Sequence, residues 1–357
     1  MSKKLFFTTV SFAATLVLVS VVANIPVVRS FLTGPLTLEV YNEKKELVHE
    51  TTVRYGSSYK IPQVYYDSLP KTYVETIYFN TLKGWDQDLT MIKRPLKVFP
   101  LYEAKEMLEI RYDKVYFDIQ GFKEEYQNNY EITKLVIPGT ITHEGTNKRL
   151  ATVKTNAFLD NPFLEHIEFL PFQKEAEYRK VIIESKAFIK MARLKTIIFS
   201  ENVKDLGHQA IINNLLLEKI VFKATSFESI GHEVFSNLPA LKEIVLPSDI
   251  EAISNNMFYK CSSLTNIGYL RKLLRLSYSI FNLCEKMEWF IIPSGVTFEQ
   301  PTKVFLGSPS SLVLFVVEND DVRNLSSDWN KNGINNLRCY YEGEWYFDEA
   351  LQAPVPK

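Results

Sequence analysis

The chain has 357 residues, enough at roughly 100–200 residues per domain for two or three domains or one elongated array. Hydrophobic residues make up 46% and charged residues 23%, which excludes wholesale disorder, and the aromatic share of 13% is more than one compact core usually takes. Lys and Arg number 41 against 42 Asp and Glu, a net charge of −1, so there is no basic surplus to neutralise phosphates and nucleic acid is not expected as a partner.

Lys3 and Lys4 precede an uncharged run from Leu5 to Val28, LFFTTVSFAATLVLVSVVANIPVV. As a helix it reaches about 36 Å, longer than the roughly 30 Å hydrocarbon core of a bilayer. Residues 1–32 therefore read as a signal-anchor, a single transmembrane segment. The lysines ahead of it place the remainder of the chain outside the cell membrane, at the cell surface. Val21, Val22 and Ala23 put small residues at cleavage positions, so a cleaved signal and a secreted protein is the alternative.

Residues 33–104 read as a small β domain. LTLEVYNEKKELVHETTVRYGSSYKIP alternates apolar and polar residues, breaks at Asn42 and Glu43, and resumes, the pattern of a hairpin. With Gly56, Gly84-Trp85 and the closing strand LKVFPLYEA (96–104), the segment resembles the small internalin-type B-repeat domain, which sits beside leucine-rich repeats on bacterial surface proteins. Residues 105–152 are expected to join this domain to the segment that begins at Val153 and to cap the start of that segment.

From 153 to 317 one pattern recurs: AFLDNPFLEHIEF, AFIKMARLKTIIF, AIINNLLLEKIVF, VFSNLPALKEIVL, MFYKCSSLTNIGY and IFNLCEKMEWFII. The second residue of each is Phe158, Phe188, Ile211, Phe235, Phe258 or Phe281, and Phe305 opens a blurred seventh copy. An apolar residue sits five positions ahead of each: Val153, Ile183, Leu206, Ile230, Ile253 and Leu276. A spacing this long and regular cannot come from a single helix or strand. It predicts one solenoid coil per repeat, each burying its apolar face against its neighbours. Within a coil, Leu241, Ile244 and Leu246 alternate inward at strand spacing, and the turn at Val234-Phe235 has space for a short helical segment.

ISNNMFYKCSSLTNIGYL (253–270) and IGHEVFSNLPALKEIVLP (230–247) carry the pattern most fully, and in them the chain resembles the BspA-type leucine-rich repeats. KLVIPGTI (134–141) is similar to the strand that opens such arrays. The resemblance implies a β-rich solenoid of about seven coils, with residues 318–357 as a C-terminal cap, and a surface-exposed binding or adhesion role.

Little in the sequence points to chemistry. None of the five histidines lies in a metal-binding motif, and no cysteine pair has ligand spacing, so no metal or cofactor is expected. His208 and His232 share one slot in adjacent coils and should lie near each other as solvated side chains. Cys261 and Cys284 share another, within disulfide reach, where the resemblance implies an inward ladder of small residues. Cys339 falls in a predicted hairpin, LRCYYEGEWYF. Without a nucleophile elbow, a phosphate loop or a telling carboxylate pair, the chain is not expected to be an enzyme.

The outward strand positions carry the functional expectation. They pair as His166/Glu168, Thr196/Ile198, Lys219/Val221, Glu243/Val245, Asn266/Gly268 and Trp289/Ile291. The second column is unusually apolar, which either reflects the fit of β-branched residues to strands or marks a partner-binding strip. Ile198, Val221, Val245, Trp289 and Ile291 are the candidate binding residues, with Gly268 as a gap among them. The expected partner is a protein or a glycan, or, as the alternative, sister subunits of a surface assembly. A C-terminal segment containing Trp329 and Trp345 folding over the end of the strip is the competing arrangement for Trp289.

Overall fold

The computed structural model describes residues 35–173, 180–317 and 338–357. The expected membrane segment, and with it Trp329, lies outside the described residues. Among them, no helix is long and apolar enough to cross a membrane.

The chain divides into two compact units, one ending at Lys105 and one running from Glu106 to Lys357, with Val74–Tyr78 added to the second. The first is a small β unit. Leu36–Tyr41 and Leu47–Val53 form an antiparallel hairpin, and Leu96–Val98 adds in parallel beside Leu38–Val40. The hairpin turns where Asn42 Oδ1 accepts from the backbone N–H groups of Lys44 and Glu46 (3.0 and 2.9 Å), a side chain substituting for a backbone turn partner. Leu38, Val40, Val53, Ile61, Ile92 and Val98 form its core.

The second unit is built from stacked coils. As far as the coil of Phe235, each contributes one strand to each of two sheets, in which neighbouring coils pair in parallel. The first sheet pairs Lys134–Ile137, His166–Phe169, Thr196–Phe199, Lys219–Phe222 and Glu243–Val245 in that order. Its register follows the repeat: Ile167, Ile197, Ile220 and Ile244 stand side by side and point inward, where they are buried. The second sheet aligns Val153, Ile183, Leu206 and Ile230 in the same way. The hairpin Leu108–Tyr112/Tyr116–Phe122 extends this sheet at its start, pairing in parallel with Thr146–Val153.

Between the sheets runs a stack of rings. Phe158, Phe188, Ile211, Phe235, Phe258, Phe281 and Phe305 are all buried. Centroids lie 5.3 Å apart for Phe158–Phe188, 5.6 Å for Phe235–Phe258 and 5.8 Å for Phe258–Phe281. Where Ile211 interrupts the stack, ring contact detours through Phe199 and Phe222, which stack at 4.7 Å, before returning to Phe235.

From Phe158 to Phe281 the turn around each of these residues is not helical, including the one at Val234-Phe235, where the sequence leaves space for a short helical segment; a 3-10 turn precedes Phe305, at Pro301–Lys303. Two residues before and two after each position as far as Phe281 the backbone is left-handed, at Asn156 and Asp160, Lys186 and Lys190, Gln209 and Asn213, Glu233 and Asn237, Asn256 and Lys260, and Ser279 and Leu283. Such residues are sterically disfavoured singly. Here the conformation is held because it aims backbone groups at the neighbouring coil: Phe188 N–H donates to Ala210 O at 2.9 Å and Lys190 N–H to Ile212 O at 3.1 Å.

Both sheets are interrupted after the Phe235 coil. The second stops at Ser229–Ile230 and resumes as a separate sheet with Ala252–Ile253. The first stops at Glu243–Val245 because the next coil turns there instead of extending: Gly268 is left-handed (φ 76°) and its N–H bonds Asn266 Oδ1 at 3.1 Å. The backbone bonds across this junction run along the turn edge, through Phe235 N–H to Met257 O (3.1 Å) and Asn237 N–H to Tyr259 O (2.6 Å), and side chains add Ser254 Oγ to Gly231 O (2.6 Å). Strand pairing resumes at Trp289–Ile292 with Val313–Val316. The hairpin predicted around Cys339 does not form: Arg338–Tyr340 joins this last sheet in parallel, and the hairpin is Trp345–Asp348 with Ala353–Pro356. The backbone of Val313–Val316 offers an open edge there, and a third strand satisfies it.

Candidate functional site

The outward face of the first sheet brings Glu168, Ile198, Val221 and Val245 into one row, each opposite the next in register. Ile198 and Val221 are half-buried by their neighbours, and Val245, at the end of the sheet, is 43% exposed. Charged pairs border the apolar row. Glu168 lies between Lys134 (3.9 Å) and Lys223 (3.8 Å), and Lys219 pairs with Glu243 at 2.7 Å. Beyond one end, Glu165 accepts from Lys195 (2.7 Å) and Arg193, and these cations hold its carboxyl below the usual range. An apolar centre with a charged rim is the anatomy of a protein interface.

The five-residue strip read from the sequence is not continuous. Asn266 and Gly268 lie in the turn that ends the first sheet and supply no strand between Val245 and Trp289. Ile291 is only 1% exposed, packed with Phe315 and Trp345, while Trp289 is half-buried against the same cluster. The hairpin from Trp345 covers this part of the strand face, and Trp345 Nε1 donates to Val316 O at 3.2 Å. Both faces of Trp289–Ile292 are therefore occupied, which removes Ile291 from any free surface. The competing arrangement holds for Trp345.

His208 and His232 stack with centroids 5.1 Å apart, and both are exposed. The backbone N–H of His232 donates to His208 Nδ1 at 3.0 Å, so the neutral imidazole of His208 carries its proton on Nε2. Among the described residues, no three His, Cys, Asp or Glu side chains group as a metal site. Cys261 and Cys284 are free and buried, and each S–H donates to a carbonyl of the preceding coil, Phe235 O at 3.0 Å and Phe258 O at 2.9 Å. Asn214 Nδ2 makes the equivalent bond to Phe188 O at 2.9 Å, so the slot serves to tie coils together. Burial raises the Cys261 thiol well above its ordinary value and pushes Cys284 up to about 12.

Two clefts had no sequence signal. One, of about 380 Å³, lies beside the first coil, between Gln120–Phe122 and Asn156–Pro162. The other, of about 500 Å³, opens where the second sheet is interrupted and is lined by Glu228, Asp249, Glu251, Lys272 and Arg275 among others. Each is assembled by residues far apart in sequence and by the absence of a neighbouring strand, which no local motif records.

Stacked coils with two parallel strand ladders, a ring stack and a hydrogen-bonded turn edge define a parallel β-solenoid of the leucine-rich repeat class. Residues 151–288 match the BspA type leucine rich repeat region in six copies, and this part of the chain is an array of that family. No curated protein matches the chain. Among solved structures, a leucine-rich repeat protein from Bacteroides ovatus is 17% identical, covering 67% of either chain with a TM-score of 0.40. One from T. pallidum is 20% identical over 66% of this chain and 97% of its own, TM-score 0.47. A leucine rich cell surface protein from Faecalibacterium prausnitzii is 12% identical over 76% and 99%, TM-score 0.26.

Proposed function

We propose that the chain is a surface-exposed binding protein that captures a protein partner on the outward face of its first sheet, with Ile198, Val221 and Val245 as the apolar centre. The observation that carries this reading is the in-register apolar row ending in an exposed Val245 and bordered by ion pairs. A solvated strand face ordinarily alternates to polar residues, and a contiguous apolar row on one marks an interaction surface. The uncharged run Leu5–Val28 behind Lys3 and Lys4 supports anchoring in the cell membrane with this face outside.

The test is a Val221→Ser, Val245→Ser double variant of the full chain, assayed by thermal melting and by partner capture from cell-surface extracts. Lost capture with an unchanged melting curve supports the reading, and undiminished capture refutes it. Sedimentation of the same pair addresses the alternative of sister subunits: association of the wild type that the double variant abolishes identifies the face as a subunit interface.

A further inference from the structure

The backbone hydrogen bonds made around the Phe column run one way, whereas Ala192 N–H (to Asn161 O, 3.1 Å) and the side chains of Asn214, Cys261 and Cys284 bond the preceding coil. Phe158 N–H donates to Ala187 O and Asp160 N–H to Ile189 O (both 3.0 Å); Gln209 and Ile211 donate to His232 and Val234 (both 3.0 Å), and the same sense persists to Leu283 N–H and Gly307 O (3.0 Å). The repeated left-handed residues explain this direction. A left-handed residue at either end of the turn tilts the neighbouring N–H groups to one side, and the carbonyls face the other. An ordinary strand instead presents donors and acceptors on both of its edges. The edge is therefore polar along the stack, and its first coil ends in carbonyls with no coil before them.

Those carbonyls belong to Ala157 and Leu159, the counterparts of Ala187 and Ile189. Among the described residues no donor reaches either oxygen. Both residues line the 380 Å³ cleft. Gln120, Gln127, Asn128, Asn156 and Asp160 line it as well, and no Lys, Arg or His does. Asp160 is exposed and joins no ion pair among the described residues. Gly121 keeps the cleft open, since its φ is +149° and a Cβ there would stand 2.7 Å from Ala157 O.

This chemistry selects a class of ligand. Carbonyl oxygens and a carboxylate repel anions. A β-strand edge would bring its own carbonyls against these. A divalent ion binds through several oxygen ligands at about 2.3–2.6 Å, and one carboxylate is little charge for it. What fits is a molecule carrying several N–H donors and positive charge. We propose that this cleft binds a linear polyamine, its ammonium groups donating to Ala157 O and Leu159 O and facing the Asp160 carboxylate. The site is separate from the strand face, and neither reading depends on the other.

The experiment is isothermal titration of the full chain with spermidine at low ionic strength. Saturable one-site binding is expected, weakened about tenfold or more by Asp160→Asn, which removes a charge-assisted contact. Asn tolerates the left-handed backbone of residue 160 (φ 53°), so the melting temperature should not change. Gly121→Ala closes the cleft and should abolish binding. Should that variant fail to fold, Asp160→Asn still decides. Asp249→Asn, which removes an acidic group elsewhere on the array, should leave binding unchanged. The proposal is overturned by the absence of saturable binding, by equal affinity of wild type and Asp160→Asn, by an equal loss in Asp249→Asn, or by displacement of spermidine by equimolar calcium.

Discussion

Replacing Phe258 with alanine tests the ring stack where it carries the most. The ring is fully buried between Phe235 and Phe281, at 5.6 and 5.8 Å, and it spans the junction at which both sheets are interrupted. Truncating a buried Phe costs about 3–5 kcal/mol, which includes the cavity left behind. Each lost ring pair adds about 0.5–1.5 kcal/mol beyond area burial. Against a total stability of about 5–15 kcal/mol this is a large fraction. At about 2–4 °C per kcal/mol for a unit of this size, the midpoint should fall by about 10–30 °C. Because coils interact with nearest neighbours only, the loss should also uncouple the two halves of the array. Far-ultraviolet circular dichroism follows the whole array, whereas tryptophan emission in a Trp85→Phe background is weighted to its C-terminal end, where Trp289 and Trp345 pack over the last sheet. The two melting curves should coincide in that background and separate once Phe258→Ala is added. Leu274→Ala, at a largely exposed position, serves as the control and should melt as the wild type does. An unchanged midpoint in Phe258→Ala would refute the assignment of this ring to the load between coils.

Cys261 and Cys284, with thiols raised by burial, should resist iodoacetamide in the native protein at pH 8 and react fully once it is unfolded; alkylation of either in the folded chain contradicts a buried ladder of S–H donors. Hydrogen exchange should be faster at the amide of Ser254 than at Gly231 and Ser277, whose N–H groups bond Leu206 O (2.8 Å) and Ile253 O (3.0 Å), because the equivalent strand pairing is missing at the junction. Leu283 is exposed and left-handed (φ 59°), so Leu283→Asn should raise stability by about 1 kcal/mol, measured by urea denaturation, and a loss of stability would mean that its side chain matters more than its backbone.

The period of the repeat, its buried column and the inward strand residues are legible in the sequence, because stacked coils convert sequence offset directly into register. Val153, Ile183, Leu206 and Ile230 align for that reason, as do Ile167, Ile197, Ile220 and Ile244. The left-handed turns are not legible. Lys186, Gln209, Glu233 and Leu283 have no intrinsic preference for that backbone and adopt it because a neighbouring coil accepts their hydrogen bonds. The candidate binding row is legible only as far as the sheet extends. Ile198, Val221 and Val245 keep an outward face, whereas Ile291 has the same pattern and is buried. Its burial depends on the hairpin that begins at Trp345, and local alternation holds no information about a segment that far along the chain. The polar cleft beside the first coil likewise exists only because a ladder with a direction must end, and where it ends is decided by the tertiary arrangement of Gln120–Phe122 against Asn156–Pro162.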